Sequence, residues 1–364
     1  MTQKKLIIFM PSIEGGGVEK NLFIVANFLS KKIKNISVIT ASYKYKNKFD
    51  KKINLILPKR KLWAELSRRS KYFICLILLF KFLLKNRDTI VFAFQANLYS
   101  IIICKLLSVK VIVRSNSAPE GWSQNFIKRI LYKKIINQAN KIMVNSHDFQ
   151  KSLKKKYGVN SDVIYNPLNK LEIYKKSKKK INKIFPNNVL KIINVGRFVD
   201  QKDQLTILKS LNLLKNKINF HLILLGQGQL KQKLFNYIIS NNLSKYVKFI
   251  DFKENPYPYI RKADVFILSS KFEGLPNVLL EAAVLKKFII SSNCPTGPRE
   301  ILLNGKLGFL FPVGDFRALT KKILLFYRQP KKNKKLINLA YKNLYRFDYD
   351  LNLKKYLKLI KSIT

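Results

Sequence analysis

The sequence is poor in the residues that build metal centres, disulfide frameworks and acidic surfaces. Its 364 residues include three cysteines and two histidines. Cys75, Cys104 and Cys294 have neither metal-ligand nor paired spacing, which argues against a zinc module or a disulfide-stapled exterior and favours a reducing compartment. His147, near an expected helix start, and His221, in an expected strand, read as structural residues. No apolar run reaches the roughly 20 residues that span a bilayer; Tyr72–Leu84 is interrupted by Lys81. At the N-terminus only Leu6–Met10 are apolar before Pro11, which reads as a first strand and not a secretory leader.

Acidic residues are also scarce: 20 against 71 lysines and arginines, a formal charge of +51. The excess is spread along the chain, with 33 basic against 8 acidic residues in 1–170 and 38 against 12 in 171–364. A Lys-, Ile- and Asn-rich composition partly reflects an AT-biased genome. The remainder points to a polyanion, either anionic lipid or nucleic acid. No zinc-finger spacing, aromatic ribonucleoprotein motif or heptad-linked basic region is present, so a specific nucleic-acid reader is disfavoured. Residues 59–85 set Lys59, Arg60, Lys61, Arg68, Arg69 and Lys71 beside Trp63, Tyr72, Phe73 and the run Ile74–Phe80. That pattern suits a helix lying in a headgroup layer, and peripheral attachment to an anionic membrane is expected there.

What the chain does have is alternation. Short β-branched runs near 4–10, 36–41, 89–94, 109–114, 141–145 and 162–165 are separated by amphipathic segments, and the pattern restarts at 190–195, 220–225, 247–251, 265–268 and 288–291. Such alternation predicts two α/β units built on parallel sheets. Their expected limits are 1–168 and 189–346, with a basic connection over 169–188, and a C-terminal helix near 347–364 is expected to pack back on the first unit. Open parallel sheets bind ligands beyond the carboxyl ends of their strands, so a cleft between the two units is the expected site.

Several segments fall at such strand ends. Gly15-Gly16-Gly17 follows the first strand and precedes a helix, a junction where backbone amides can approach a phosphate. Gly196-Arg197 follows a second-unit strand, and Lys202 is expected at the start of a helix over 201–214. Glu273 and Glu281 bracket Gly274-Leu275-Pro276-Asn277, with Glu273 in a short loop and Glu281 inside the next helix. Carboxylates suit sugar hydroxyls; cations and helix-entry amides suit phosphates. Together these residues predict a nucleotide-sugar site.

The segments Gly196-Arg-Phe-Val-Asp-Gln-Lys-Asp203, Phe272-Glu-Gly-Leu-Pro-Asn-Val-Leu-Leu-Glu281 and Ser292-Asn-Cys-Pro-Thr-Gly-Pro-Arg-Glu300 resemble the retaining glycosyltransferases of family 4. The resemblance covers essentially the whole chain and is most specific in the second half. It implies the GT-B fold, two doubly wound Rossmann-like domains facing each other across a cleft. It also implies a nucleotide-diphosphate sugar bound mostly by the C-terminal domain, an acceptor bound by the N-terminal domain, retention of anomeric configuration, and no cofactor or bound metal. In that family's terms Arg197 and Lys202 neutralise the diphosphate leaving group, Glu273 contacts the transferred sugar and Glu281 holds the ribose. Gly16, Gly17, Gly196, Gly274, Leu275, Pro276 and Asn277 line the donor. Where many relatives carry a histidine, this chain has Val113-Arg114-Ser115-Asn116-Ser117, which puts Arg114 and Asn116 on the acceptor side. Asp251 stands where relatives commonly have glycine.

Residues 294–300 look most like branches that extend lipid-linked or cell-surface glycans from UDP-linked hexoses or N-acetylhexosamines. The expected protein is thus a cytoplasmic enzyme attached to the inner membrane face. Two competing readings are a sugar-nucleotide epimerase of the same fold and a basic nucleic-acid-binding protein.

Overall fold

The computed structural model describes residues 4–59, 63, 65–116 and 125–363. Arg60, Lys61 and Ser117 lie outside the described residues. The chain forms two compact units, Met1–Pro167 with Tyr349–Thr364, and Leu168–Asp348.

In the first unit the strands are β1 (Lys5–Phe9), β2 (Ile36–Ile39), β3 (Asn54–Ile56), β4 (Thr89–Ala93), β5 (Lys110–Arg114), β6 (Lys141–Val144) and β7 (Asp162–Val163). Their order in the sheet is β3-β2-β1-β4-β5-β6-β7, with every pair parallel. Helices cross between them, and the chain changes winding direction between β1 and β4. Strand β1 shows why the sequence does this: Leu6, Ile8 and Met10 enter one apolar cluster while Ile7 and Phe9 enter another on the opposite face. A parallel strand buried on both faces therefore reads as an unbroken apolar run.

The second unit holds β8 (Leu190–Val195), β9 (Phe220–Leu225), β10 (Val247–Ile250), β11 (Val265–Leu268), β12 (Phe288–Ser292) and β13 (Phe309–Phe311). Its order, β10-β9-β8-β11-β12-β13, is again wholly parallel and reverses between β8 and β11. Both sheets are doubly wound and Rossmann-like.

The C-terminal helix Tyr349–Lys361 belongs to the first unit, where Leu353, Tyr356 and Ile360 join the apolar cluster behind β1. Residues 169–188 are not simply a connection. Asn169 caps a helix over Lys170–Ser177 by accepting the Glu172 N–H at 3.0 Å, and Ile173 of that helix is buried within the second unit. A cap and one apolar contact stabilise a helix inside a basic stretch, because its lysines can all project to water.

The short strands β3 and β13 are the two that sequence alternation does not anticipate. Three residues carry too little periodicity to separate a strand from a loop.

Candidate nucleotide-sugar site

The second unit's candidate residues converge at the β8/β11 reversal, the point where doubly wound sheets leave a crevice. Gly196 and Arg197 leave the end of β8. A single 3-10 turn, Asp200–Lys202, follows, and the helix proper begins at Gln204. Lys202, expected at the start of this helix, lies before it, because Asp203 adopts φ 45° and breaks the helical path. The Asp203 carboxylate accepts the Thr206 hydroxyl at 2.6 Å, and its burial holds the carboxyl above its usual range.

This kinked entry turns Lys202 toward β11. Its Nζ lies 2.5 Å from Glu273 Oε1, with both side chains largely buried. Ser270 Oγ donates to the same carboxylate oxygen at 2.6 Å. Thr296 Oγ1 donates to the Glu273 carbonyl, and Gln201 Nε2 to the Phe272 carbonyl at 2.9 Å. Ser269 Oγ returns a bond to the Lys202 carbonyl at 2.9 Å. The two loops are therefore cross-linked by both side chains and backbone. Arg197 is exposed, and among the described residues no acid pairs with it.

Glu281 sits in the second turn of helix Asn277–Val284, buried, accepting the Tyr257 hydroxyl at 3.3 Å. Gly274, Leu275 and Pro276 are buried in the approach to that helix. Pro276 occupies the cap position without a side-chain hydrogen bond, and its carbonyl accepts the Leu279 N–H at 3.0 Å.

Three glycines missed at the sequence level make this packing possible. A Cβ on Gly226 would lie 1.9 Å from the Gly196 carbonyl oxygen, one on Gly228 2.4 Å from that of Phe198, and one on Gly297 2.4 Å from that of Gly274. The signal was present: Gly226-Gln227-Gly228 directly follows β9. Gln204 was missed as well; its Nε2 donates to the Arg197 carbonyl at 3.1 Å and holds the loop.

Cys294 lies nearby, but burial, with Glu273 adding to it, pushes its thiol up to about 12, so it is not a thiolate at neutral pH. Asp251 is exposed and paired with Lys231 at 2.6 Å, whose hydrogen bond and charge hold its carboxyl below the usual range.

In the first unit, Gly16 and Gly17 open helix Gly17–Leu29. The Glu19 carboxylate folds back over this turn: Oε1 accepts the Glu14 N–H at 3.4 Å, and a Cβ on Gly16 would meet Oε2 at 2.8 Å. A side chain at Gly16 would thus displace the movable end of a local acid.

Arg114, expected on the acceptor side, is only 1% exposed. Its Nη2 donates to Asn166 Oδ1 at 2.7 Å, its Nη1 donates to Asn116 Oδ1, and its guanidinium lies 5.2 Å from the Phe94 ring centroid. Asn116 Nδ2 in turn donates to the Phe94 carbonyl at 2.6 Å. Arg114 therefore positions Asn116 from within the core and does not itself face solvent. Both histidines make ring contacts: His147 meets Tyr165 edge-on and His221 meets Phe185.

Two doubly wound sheets with this donor-type crevice define the GT-B class. A family model for glycosyl transferases group 1 matches residues 175–343, and one for glycosyltransferase family 4 matches residues 15–170. The chain belongs to the family 4 glycosyltransferases. It is 35% identical over 192 residues to an uncharacterized glycosyltransferase of Methanocaldococcus jannaschii, covering 50% of this chain and 46% of that protein. It is also 26% identical over 225 residues to the N-acetylgalactosamine-N,N'-diacetylbacillosaminyl-diphospho-undecaprenol 4-alpha-N-acetylgalactosaminyltransferase of Campylobacter jejuni, covering 60% and 58%. The chain thus spans about half the length of the curated relatives it matches. The crystal structure of Anabaena HepE in complex with UDP-glucose superposes with a TM-score of 0.81 at 17% identity, covering 99% of this chain and 100% of that one.

Proposed function

We propose that the protein transfers a hexose or N-acetylhexosamine from UDP to a lipid-linked or cell-surface glycan in the cytoplasm, with retention and without a bound metal. The observation that carries this reading is the Lys202–Glu273 pair at the sheet reversal, beside the unpaired Arg197. A nucleoside diphosphate entering there meets two cations and the positive end of helix Asn277–Val284.

The physics of group transfer matches this set. As the glycosidic bond loosens, negative charge grows on the departing β-phosphate and the sugar becomes oxocarbenium-like. Fixed cations beside that phosphate then stabilise the transition state more than the bound substrate. Lys202 is held by Glu273 until a diphosphate competes for its ammonium group. Drawing Lys202 toward phosphate releases carboxylate lone pairs for hydroxyls of the transferred sugar, so one ion pair prepares both halves of the donor contact. Glu281, a turn and more inside the helix, is the acid assigned to the ribose. Asn116, held by Arg114, is assigned to the acceptor side.

UDP as the nucleotude carrier is supported by the HepE complex, and a polyprenyl-diphosphate glycan as acceptor class by the Campylobacter relative. The chain's sole Asp-any-Asp triplet, Asp348-Tyr349-Asp350, stands where the chain returns to the first unit, not in the loops that carry Lys202 and Glu273.

The test is UDP release from UDP-glucose, UDP-galactose and their N-acetylated forms with a polyprenyl-diphosphate glycan acceptor, followed by proton NMR of the new linkage. An α-linked product that persists in EDTA supports the proposal. A β-linked product, or epimerised donor without acceptor, contradicts it.

A further inference from the structure

We infer that three neighbouring helices of the first unit, Arg68–Lys85, Asn97–Leu106 and Phe126–Ile136, form a surface that seats the protein on an anionic lipid bilayer. The first of these helices is apolar on two sides. Cys75, Leu79 and Leu83 enter the core, as helical spacing requires. Phe73, Ile77, Phe80 and Leu84, at spacings of four, three and four, form a second stripe that faces solvent. The middle helix packs against both others. It exposes Leu106, and the third helix exposes Ile127, at 73% and 75% against 67% for Phe73. A soluble surface rarely groups so many large apolar side chains, and such a patch marks a partner.

Charge identifies the partner. The three helices carry five, one and four lysines or arginines and no aspartate or glutamate. Exposed Arg69, Lys81 and Lys85 flank the stripe of the first helix, and exposed Lys128 and Lys134 lie on the third. Apolar side chains framed by cations suit acyl chains beneath phosphate headgroups. A second copy of this chain is disfavoured as occupant, because it would bring an equally acid-free face, on a chain of charge +51, against this one. The surface extends well beyond the 59–85 segment expected from the sequence, and it does not depend on the donor assignment.

Net charge alone would attract this protein to anionic vesicles, so the test isolates the apolar component. Full-length protein is sedimented with phosphatidylcholine vesicles, with or without phosphatidylglycerol, at low salt and at about 1 M salt, where screening reaches ~3 Å. The Phe73→Ser/Leu106→Ser/Ile127→Ser variant is compared with a control, Leu171→Ser/Ile239→Ser/Tyr345→Ser, altered at exposed apolar positions of the second unit. We expect phosphatidylglycerol-dependent binding that persists in high salt, reduced at least about tenfold in the first variant and unchanged in the control. Equal binding of both variants, or no binding of the unaltered protein, overturns the inference.

A fluorophore on Leu106→Cys, against one on Leu171→Cys, gives a readout without triple substitution, since the native thiols are buried. Quenching by brominated lipid at Leu106 alone is expected; equal quenching at both sites overturns the inference. Stabilisation by UDP, measured without vesicles, tests the donor site separately.

Discussion

Lys202 Nζ and Glu273 Oε1 lie 2.5 Å apart, although 71 positions separate the residues in the chain. The contact ties the loop after β8 to the loop after β11 across the point where the second sheet reverses. Ser270 completes it by donating to the same oxygen. In the proposed function this pair also prepares the donor contact, and breaking it from either side has separable consequences.

Lys202→Met leaves a largely buried carboxylate without its cation. Loss of one partner of a fully buried pair costs about 3–5 kcal/mol; partial exposure of Lys202 places this case nearer ~1–3 kcal/mol. Urea denaturation measures the loss. The double variant Lys202→Met/Glu273→Gln is expected to recover part of it, giving a favourable coupling energy in the cycle.

Gly226→Ala places a methyl group where the Gly196 carbonyl already sits, 1.9 Å away. The loop carrying Arg197 must move, and a loss of at least about 3 kcal/mol with abolished UDP binding is expected. Gly314→Ala is the control. Its φ of 76° imposes strain of about 1–2 kcal/mol, but no atom lies within 4 Å of the added carbon, and UDP binding should be retained.

Arg114→Leu leaves the side-chain oxygens of Asn116 and Asn166 without their shared donor inside the core. Loss of about 2–4 kcal/mol is expected by thermal unfolding. Arg114→Lys should recover little, since a point charge does not reproduce the two-pronged fork. Acceptor KM should rise more than donor KM wherever the variant folds.

His221 gives a pH signature. Burial, chiefly, lowers its pKa below the usual value near 6.5. The folded state therefore binds its proton less readily than the unfolded chain. Its contribution is fully present above about pH 6.5 and declines as pH falls through the lowered folded value. Melting temperature should drop over that interval, and His221→Gln should flatten the slope there.

The alternation of apolar runs made both sheets legible, because a doubly buried parallel strand such as Phe220–Leu225 leaves an unbroken apolar signature. Three-residue edge strands, Asn54–Ile56 and Phe309–Phe311, leave almost none. At the site, residue types and spacing pointed to Lys202 and Glu273. They could not reveal the kink at Asp203, since one left-handed residue in an otherwise helical pattern is set by its surroundings. Arg114 is placed on the acceptor side by resemblance alone; its neutral partners Asn116, Asn166 and Phe94 come together only through tertiary structure. The requirement at Gly226 and Gly228 is likewise a matter of backbone approach between β8 and β9 loops distant in sequence. The apolar stripe Phe73–Leu84 was visible as composition, but its exposed side emerged only when Cys75, Leu79 and Leu83 were seen to fill the core.

The central claim is that the β8/β11 crevice binds a nucleoside diphosphate through Arg197 and Lys202. Thermal unfolding in the presence of UDP, GDP or ADP tests it most directly, on the unaltered protein and on Arg197→Ala/Lys202→Ala. The account predicts that UDP raises the melting temperature by an amount equivalent to about 2.7 kcal/mol at 100 times its Kd, and that the double variant abolishes the shift. Stabilisation that survives in the variant, or none with any nucleotide, would contradict it.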